Sequence, residues 1–329
     1  MRWFRYILFF LLLIPVLYSC NKELKVDANW KDITVVYGLL DQSDDTTFIK
    51  ITKAFLGPGD AMQFSKIPDS STYPDKLEVR LDKYDGTTLL TSYPCDTITI
   101  HNKKKGDSVF YYPNQLMYYS LAALDENFSY KLTIINKKTG KEISAQTELV
   151  HDFEITRPQV TASFVPGQLF EVRWSPAKNG MRYQLMVRFY YVETLISDPQ
   201  NKQMKSLDWI VFNNVKTLDA QSTLPFDLYL SGDGFYSIVG ASIKIDPSVT
   251  RYAHHCDFVF SVAASALNTY MEVTEPSMSI VQEKPAFTNI VNGIGLFSAR
   301  FMKSQDSLGI SKVTRDSLKI NNHTKNLGF

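Results

Sequence analysis

Short stretches of alternating apolar and polar residues recur along the chain. In residues 76–83, three apolar residues alternate with three charged ones: Leu77, Val79 and Leu81 against Glu78, Arg80 and Asp82. Because successive side chains of a β-strand point to opposite faces, this pattern predicts a strand with one buried and one solvated face. Similar patterns predict further strands in this half of the chain, at residues 33–40, 46–55, 97–101, 108–112, 130–135 and 143–149. The short turns between them predict an antiparallel β-sandwich of about seven strands.

The second half of the chain predicts another set of strands, interrupted by helical patterns. These strands are predicted at residues 169–174, 183–192, 208–213, 256–264 and 294–301. The spacing of Trp174 and Tyr183 resembles that of a fibronectin type III-like sandwich, and this fold-level analogy implies a buried Trp and Tyr that pack on facing strands. Asp233 before apolar residues at helical spacing predicts a short helix, and residues 267–273 predict one or two helical turns. The predicted fold class is all-β, with two antiparallel β-sandwich domains of immunoglobulin or fibronectin III type and one or two short helices in the second.

Breaks in the pattern divide the chain. The sheet pattern stops near residues 151–158, which predicts a first domain of residues 30–150 and a second of residues 151–302. Residues 303–329 are rich in polar side chains and predict a C-terminal tail.

The first twenty residues combine a cationic start, an apolar run and a cysteine. Arg2 and Arg5 precede the apolar residues 6–17, a run too short to span a bilayer, and Leu17-Tyr18-Ser19-Cys20 follows at once. This order predicts a bacterial lipoprotein signal, residues 1–19, that is cut before the cysteine. The alternatives are an uncleaved helix or an ordinary secretory signal with a chance cysteine.

Cleavage at this position would leave Cys20 as the attachment point for lipid. Its thiol would carry diacylglycerol and its amine a further acyl chain such as palmitate. Several acyl chains, at about 0.8 kcal/mol per buried CH2, hold a protein durably in a lipid leaflet. Residues 20–29 are polar and are interpreted as a tether between the lipid and the folded part.

The charge and cysteine content of the chain bear on nucleic-acid binding and on disulfide formation. With 35 Lys and Arg against 34 Asp and Glu, the formal net charge is +1, and the sequence has no electrostatic reason to bind nucleic acid. Beyond Cys20, Cys95 and Cys256 remain, far apart in the sequence. Two ordinary, mostly buried thiols are the expected state, because nothing local places the pair in disulfide geometry. A disulfide is the alternative.

Motifs for metal binding or catalysis are weak. In His254-His255-Cys256-Asp257, strand alternation would place His254 and Cys256 on one face, so two ligands converge where tetrahedral zinc needs three or four. The sequence contains no HExxH, CxxC or GxSxG pattern. Asp44-Asp45 lies in a turn, where solvation explains the two carboxylates. We therefore predict no metal, no cofactor and no enzymatic activity.

Aromatic residues outside the strand pattern are the candidates for ligand binding. Residues 57–74 have no period, and a loop of that length is usually functional or mobile. Phe64 and Tyr73 lie in this loop, where packing alone gives less reason for aromatic side chains. We expect most other aromatic residues to belong to the core.

Three stretches resemble a known family. They are residues 76–86, residues 130–147 and, most specifically, Thr288 to Phe297 (TNIVNGIGLF), which follows Leu267-Asn268-Thr269-Tyr270. The family is that of uncharacterised Bacteroidetes outer-membrane lipoproteins that share a domain of unknown function. The Asn292-Gly293-Ile294-Gly295 portion suits a tight turn that leads into a strand, since glycine accepts positive φ and asparagine tolerates it. A glycine-rich ligand cradle is the alternative, but the following helix of a phosphate loop is missing.

The resemblance implies a function without naming a reaction. Members of the family are often encoded beside TonB-dependent receptors, which implies a lipid-anchored outer-membrane binding protein that is accessory to such a receptor in nutrient uptake. The expected partners are membrane lipid, through Cys20, and the receptor. The sequence leaves open whether the protein faces the periplasm or the cell surface. A surface adhesin or structural interaction module is the alternative.

Overall fold

The computed structural model describes residues 31–56, 71–101, 114–275 and 286–329. Strands account for 55% of the structure and helices for 12%, which confirms the all-β prediction at the level of fold class. The predicted signal, Cys20, the tether, Phe64 and the predicted strand at residues 108–112 lie outside the described residues.

Alternating burial along the chain produces strands close to where the sequence predicts them. Within the described part of the first half, the strands are β1 Lys31–Leu40, β2 Thr47–Leu56, β3 Glu78–Asp85, β4 Thr88–Pro94, β5 Asp96–Ile100, β6 Gln115–Ser120, β7 Ser129–Asn136 and β8 Lys141–Glu148. The second half adds β9 Ile155–Arg157, β10 Thr161–Ala162, β11 Leu169–Trp174, β12 Arg182–Leu195, β13 Asp198–Lys216, β14 Phe226–Ser231, β15 Val249–Ala263 and β16 Gly293–Ile310. The helices are α1 Asp233–Ser242, α2 Ser265–Thr274 and α3 Lys312–Ile320.

Local pairings follow the sequence prediction. Strands β1 and β2 form the predicted antiparallel hairpin, as do β7 and β8. The predicted helix that begins at Asp233 and the predicted helical turns at residues 267–273 are confirmed by α1 and α2. These elements depend on neighbouring residues, so sequence periodicity is enough to place them.

One long strand joins the two halves of the chain. The largest sheet has the order β13-β12-β15-β16-β1-β2-β6-β5, with β10 also on β16. The first part of β16 pairs parallel with β1, from Thr34 opposite Gly293 to Leu40 opposite Ala299. The second part pairs antiparallel with β15. The predicted boundary at residue 150 therefore does not separate two sheets, because a strand of the second half extends the sheet of the first.

Two smaller sheets complete the fold. A four-stranded sheet, β4-β3-β7-β8, lies beside the β1 part of the large sheet and forms the first pair of sheets with it. A three-stranded sheet, β14-β11-β9, lies beside the β12–β15 part and forms the second pair. In the first pair, the Tyr118 hydroxyl of β6 accepts a 2.8 Å hydrogen bond from the backbone of Leu77, just before β3. In the second, Trp174 of β11 is fully buried and its ring lies 5.6 Å from that of Tyr183 on β12. The predicted packing of this Trp on this Tyr across facing strands is confirmed.

Residues 303–329, predicted as a polar C-terminal tail, fold against the rest of the chain. Strand β16 continues to Ile310 instead of ending near residue 301, and α3 follows. Ser311 caps this helix by accepting a hydrogen bond from its first turn. Leu318 and Leu327 are buried, so a few apolar residues at the correct spacing hold a mostly polar segment against the core.

Candidate functional site

Of the two aromatic residues proposed to bind ligand, Tyr73 is within the described structure. Its side chain is half-buried, and its hydroxyl lies 2.7 Å from Oγ1 of Thr34 on β1. The Nζ atom of Lys53, on β2, lies 5.7 Å from the centroid of the Tyr73 ring. The ring is therefore held beside β1 and β2, where Thr34 pairs with Lys53, with a cation near its face.

Tyr73 lines a recess of about 220 Å³. One side of the recess is the segment just before β3, which includes the buried Leu77, and another is the β7–β8 loop. The charged residues that line it are Lys53, Lys76, Lys137, Lys138 and Asp75. Four ammonium groups and one carboxylate around a small concave space favour anionic ligands over cationic ones.

Local hydrogen bonds fix the loop that carries two of these lysines. The Oδ1 atom of Asn136 accepts a 3.0 Å hydrogen bond from the backbone N–H of Lys138, and the Asn136 carbonyl accepts one of 2.8 Å from Gly140. Gly140 has a φ of 68°, which glycine adopts without strain. The sequence Asn-Lys-Lys-Thr-Gly therefore forms a tight turn that projects both lysine side chains outward.

Ion pairs connect this loop to the opposite side of the recess. The Nζ atom of Lys138 lies 2.5 Å from a carboxylate oxygen of Asp75, and that of Lys137 lies 3.0 Å from one of Glu78. Sequence reasoning selected Tyr73 and missed the lysines. The available signal was Lys137-Lys138 in a predicted hairpin turn, but nothing local indicated that this turn meets Tyr73.

A second, larger recess of about 460 Å³ lies between β11 and residues 157–165. Its apolar side is formed by Phe170 and the fully buried Phe258. Arg157 and Glu171, whose charged groups are 4.0 Å apart, contribute a polar rim. This mixed lining does not favour one class of ligand, and no sequence prediction pointed to it.

The arrangement predicted for residues 254–257 is wrong. Tyr190 pairs with His255 while Tyr191 pairs with Ala253, so β15 has a bulge at His254. The bulge places both histidines on the outer face and Cys256 in the core, whereas simple alternation predicted that His254 and Cys256 share a face.

The two histidines contact each other rather than a cysteine. Their Nδ1 atoms are 2.6 Å apart, and the His255 ring stacks on Tyr190 with 4.3 Å between centroids. Among the residues that the structure describes, no three His, Cys, Asp or Glu side chains are grouped so that they could hold a metal ion.

Neither Cys95 nor Cys256 is in a disulfide. Cys256 is fully buried, and burial raises the pKa of its thiol well above the ordinary value. Cys95 is half-buried, and burial raises its pKa to about 11, with a smaller contribution from the nearby carboxylate of Asp82. The expectation of two ordinary, unpaired thiols is confirmed.

The motif that carried the family resemblance has a structural role. The Asn289 side-chain amide donates to the Phe297 carbonyl at 2.6 Å and accepts from the Phe297 N–H at 3.0 Å, as a neighbouring strand would. Asn292 adopts a φ of 59° in the turn that leads into β16. Gly295 lies opposite Val36, and an added Cβ would be 2.0 Å from the Val36 carbonyl oxygen. The motif builds the junction between β16 and β1.

Comparisons with known proteins add little. No protein-family model and no curated protein matches the chain. Among solved structures, the chain is similar to the crystal structure of CBD12 from CALX1.2, with 11% identity over 82% of this chain and 100% of that chain and a TM-score of 0.14. At that TM-score the likeness carries no argument. None of the helices in the described residues is long and apolar enough to cross a membrane.

Proposed function

We propose that this protein is a lipid-anchored binding protein of the outer membrane, accessory to a TonB-dependent receptor in nutrient uptake. The order of residues 1–20 carries the proposal, because a cationic start, a short apolar run and Cys20 together are typical of a lipoprotein signal. The resemblance of residues 288–297 to the lipoprotein family supports the receptor association.

The recess beside Tyr73 supports a role in binding. It is built from a loop and a segment between strands, and such connections on a rigid sheet scaffold are where proteins commonly place binding residues. The hydrogen bonds of Asn136 fix the β7–β8 turn, and exposed ion pairs place its two lysines beside Asp75 and Glu78. This binding role is proposed without any associated reaction.

We also propose that the second half of the chain is a fibronectin III-like sandwich. Support comes from Trp174, which packs between the β14-β11-β9 sheet and the large sheet. Further support comes from the segment that contains β9 and β10. Strand β9 pairs with β11 of the three-stranded sheet, and β10 then pairs with β16 of the large sheet. A segment that passes from one sheet to the other forms a corner of a sandwich.

The anchor is tested by labelling cells with radioactive palmitate. Wild-type protein should incorporate label and partition into the detergent phase of Triton X-114, and Cys20→Ser should do neither. Cys95→Ser is the matched control, because it removes a cysteine outside the signal and should leave both results unchanged. A wild-type protein that carries no lipid and is released without detergent would overturn the proposal.

The receptor association is tested by affinity purification in mild non-ionic detergent. We expect a large outer-membrane β-barrel receptor to be recovered with the tagged wild-type protein in near-equal amount. Failure to recover one in repeated purifications would count against the accessory role. Specific retention of host or matrix protein, lost on deletion of residues 59–73, would favour the surface adhesin instead.

A further inference from the structure

Positive charge is concentrated around the Tyr73 recess on a nearly neutral protein. The whole chain has 35 basic and 34 acidic residues, whereas the recess is lined by four lysines and one aspartate, and with Glu78 paired to Lys137 the excess is two positive charges. A cleft lined by one sign of charge focuses the electrostatic field and raises the local concentration of counter-ions. The charge therefore favours ligands that are anions.

Two of the lysines can exchange partners at little cost. Lys137 and Lys138 have side chains that are 73% and 72% exposed, and each is paired with a surface carboxylate. Exposed ion pairs of this kind contribute about 0–1 kcal/mol. An oxyanion of a ligand can replace the carboxylate of Asp75 or Glu78 without a large loss of folding stability.

The other side of the recess is more rigid. Lys53 is half-buried on β2, and the hydrogen bond between the hydroxyls of Tyr73 and Thr34 fixes the aromatic ring that Lys53 faces. Leu77, at 8% exposure, supplies an apolar surface beside them. This side offers one positioned charge, with the apolar side chain of Leu77 beside it for the uncharged part of a ligand.

The volume limits the size of the ligand. At about 220 Å³, the recess is smaller than the roughly 300–1,000 Å³ typical of pockets for drug-sized molecules. We propose that it binds small molecules that carry a carboxylate, phosphate or sulfate group and are no larger than a monosaccharide. This inference rests on the proposed binding function and names the ligand class for its site.

The proposal is tested by isothermal titration calorimetry on the full chain in a non-ionic detergent at low salt. The probes are D-glucuronate and glycerol 3-phosphate, with D-glucose as the neutral control. Both anions should bind and glucose should not. An increase in salt from about 20 to 300 mM should weaken binding roughly tenfold, because the contacts are solvent-exposed charges. Equal affinity for glucose and glucuronate, or no binding of either anion, would overturn the proposal.

Charge variants locate the site. Lys53→Gln and Lys138→Gln should each weaken binding at least about threefold, the effect of one partly exposed charge. Asp75→Asn should tighten binding, since it removes the carboxylate that competes with the ligand. Lys312→Gln is the matched control: its side chain is 83% exposed and paired with Asp316 at 2.6 Å, so its loss should not change affinity.

The remaining outcomes are also decisive. If Lys312→Gln weakens binding as much as Lys138→Gln, the anions respond to overall charge and the site is refuted. Because Lys138 lies in an exposed turn, its variant tests the site even if Lys53→Gln fails to fold. Tighter binding of glycerol 3-phosphate would identify a lipid headgroup as the source of the anion, and tighter binding of glucuronate a free sugar acid.

Failure of this inference is distinguishable from failure of the proposed function. Palmitate labelling and recovery of the receptor do not require Lys53 or Lys138. A lipid-anchored, receptor-associated protein that binds no anion would refute the ligand class alone. An anion-binding protein without lipid or receptor would refute the proposed function and leave the site in place.

Discussion

Replacement of Gly295 by alanine tests whether the Asn289–Phe297 motif is structural or holds a ligand. Gly295 has a φ of 116° and lies opposite Val36 in the parallel pairing of β16 with β1. An added Cβ would lie 2.0 Å from the Val36 carbonyl oxygen, whereas close C···O contacts between strands are about 3.3–3.6 Å. The two strands must therefore move apart by more than about 1 Å to accept alanine.

Two contributions set the cost. A non-glycine residue at this φ costs of order 1–3 kcal/mol. Separation of the strands weakens about two ladder hydrogen bonds, each worth roughly 0.5–1.5 kcal/mol. Gly295→Ala should lose about 2–6 kcal/mol in total. Gly86→Ala is the matched control: its φ is 54° and nothing lies within 4 Å of an added Cβ, so it should lose about 1–2 kcal/mol from the backbone alone.

Thermal unfolding of protein made without residues 1–20, followed by circular dichroism, measures both changes. At roughly 2–4 °C per kcal/mol, Gly295→Ala should lower Tm by at least about 4 °C and by more than Gly86→Ala. Equal shifts for the two variants would refute the packing argument. Normal stability of Gly295→Ala with loss of ligand binding would favour the glycine-rich cradle.

The remaining predictions concern the second half and the thiols. Trp174→Ala should lower the free energy of unfolding by about 3–5 kcal/mol in urea titrations, since it empties a fully buried site, and a loss below about 1 kcal/mol would contradict that packing. Hydrogen bonds from Lys205 and the buried Arg251 lower the pKa of the Glu193 carboxyl below its ordinary value of 4.5. The stability that Glu193 gives to the folded state is therefore complete above pH 4.5 and is lost as pH falls through its folded-state pKa. Tm should therefore fall more steeply between pH 5 and 3 in wild type than in Glu193→Gln, and parallel curves would count against this ion-pair network. At pH 8 neither Cys95 nor Cys256 should react rapidly with a thiol reagent in the folded protein, since a pKa of about 11 leaves roughly one thiolate in a thousand, and both should react after unfolding.

Local patterns determined the elements of this protein. Alternation in residues 76–83 and the helical spacing after Asp233 predict features that the structure contains, because side-chain direction within a strand or helix depends on neighbouring residues. The packing of Trp174 on Tyr183 was expected from the resemblance of their spacing to a fibronectin type III-like sandwich, and the two rings do pack together.

Pairings between distant residues decided the architecture and the candidate site. No local signal indicates that Thr34 lies opposite Gly293 or that a bulge at His254 turns its side chain outward. The recess depends on the same long-range order, because Lys53, Tyr73 and Lys138 come from three segments that meet only when the sheets pack. Sequence therefore determined which segments form strands, whereas tertiary structure decided which strands pair and which charges meet, because those choices minimise the free energy of the whole chain rather than of any one segment.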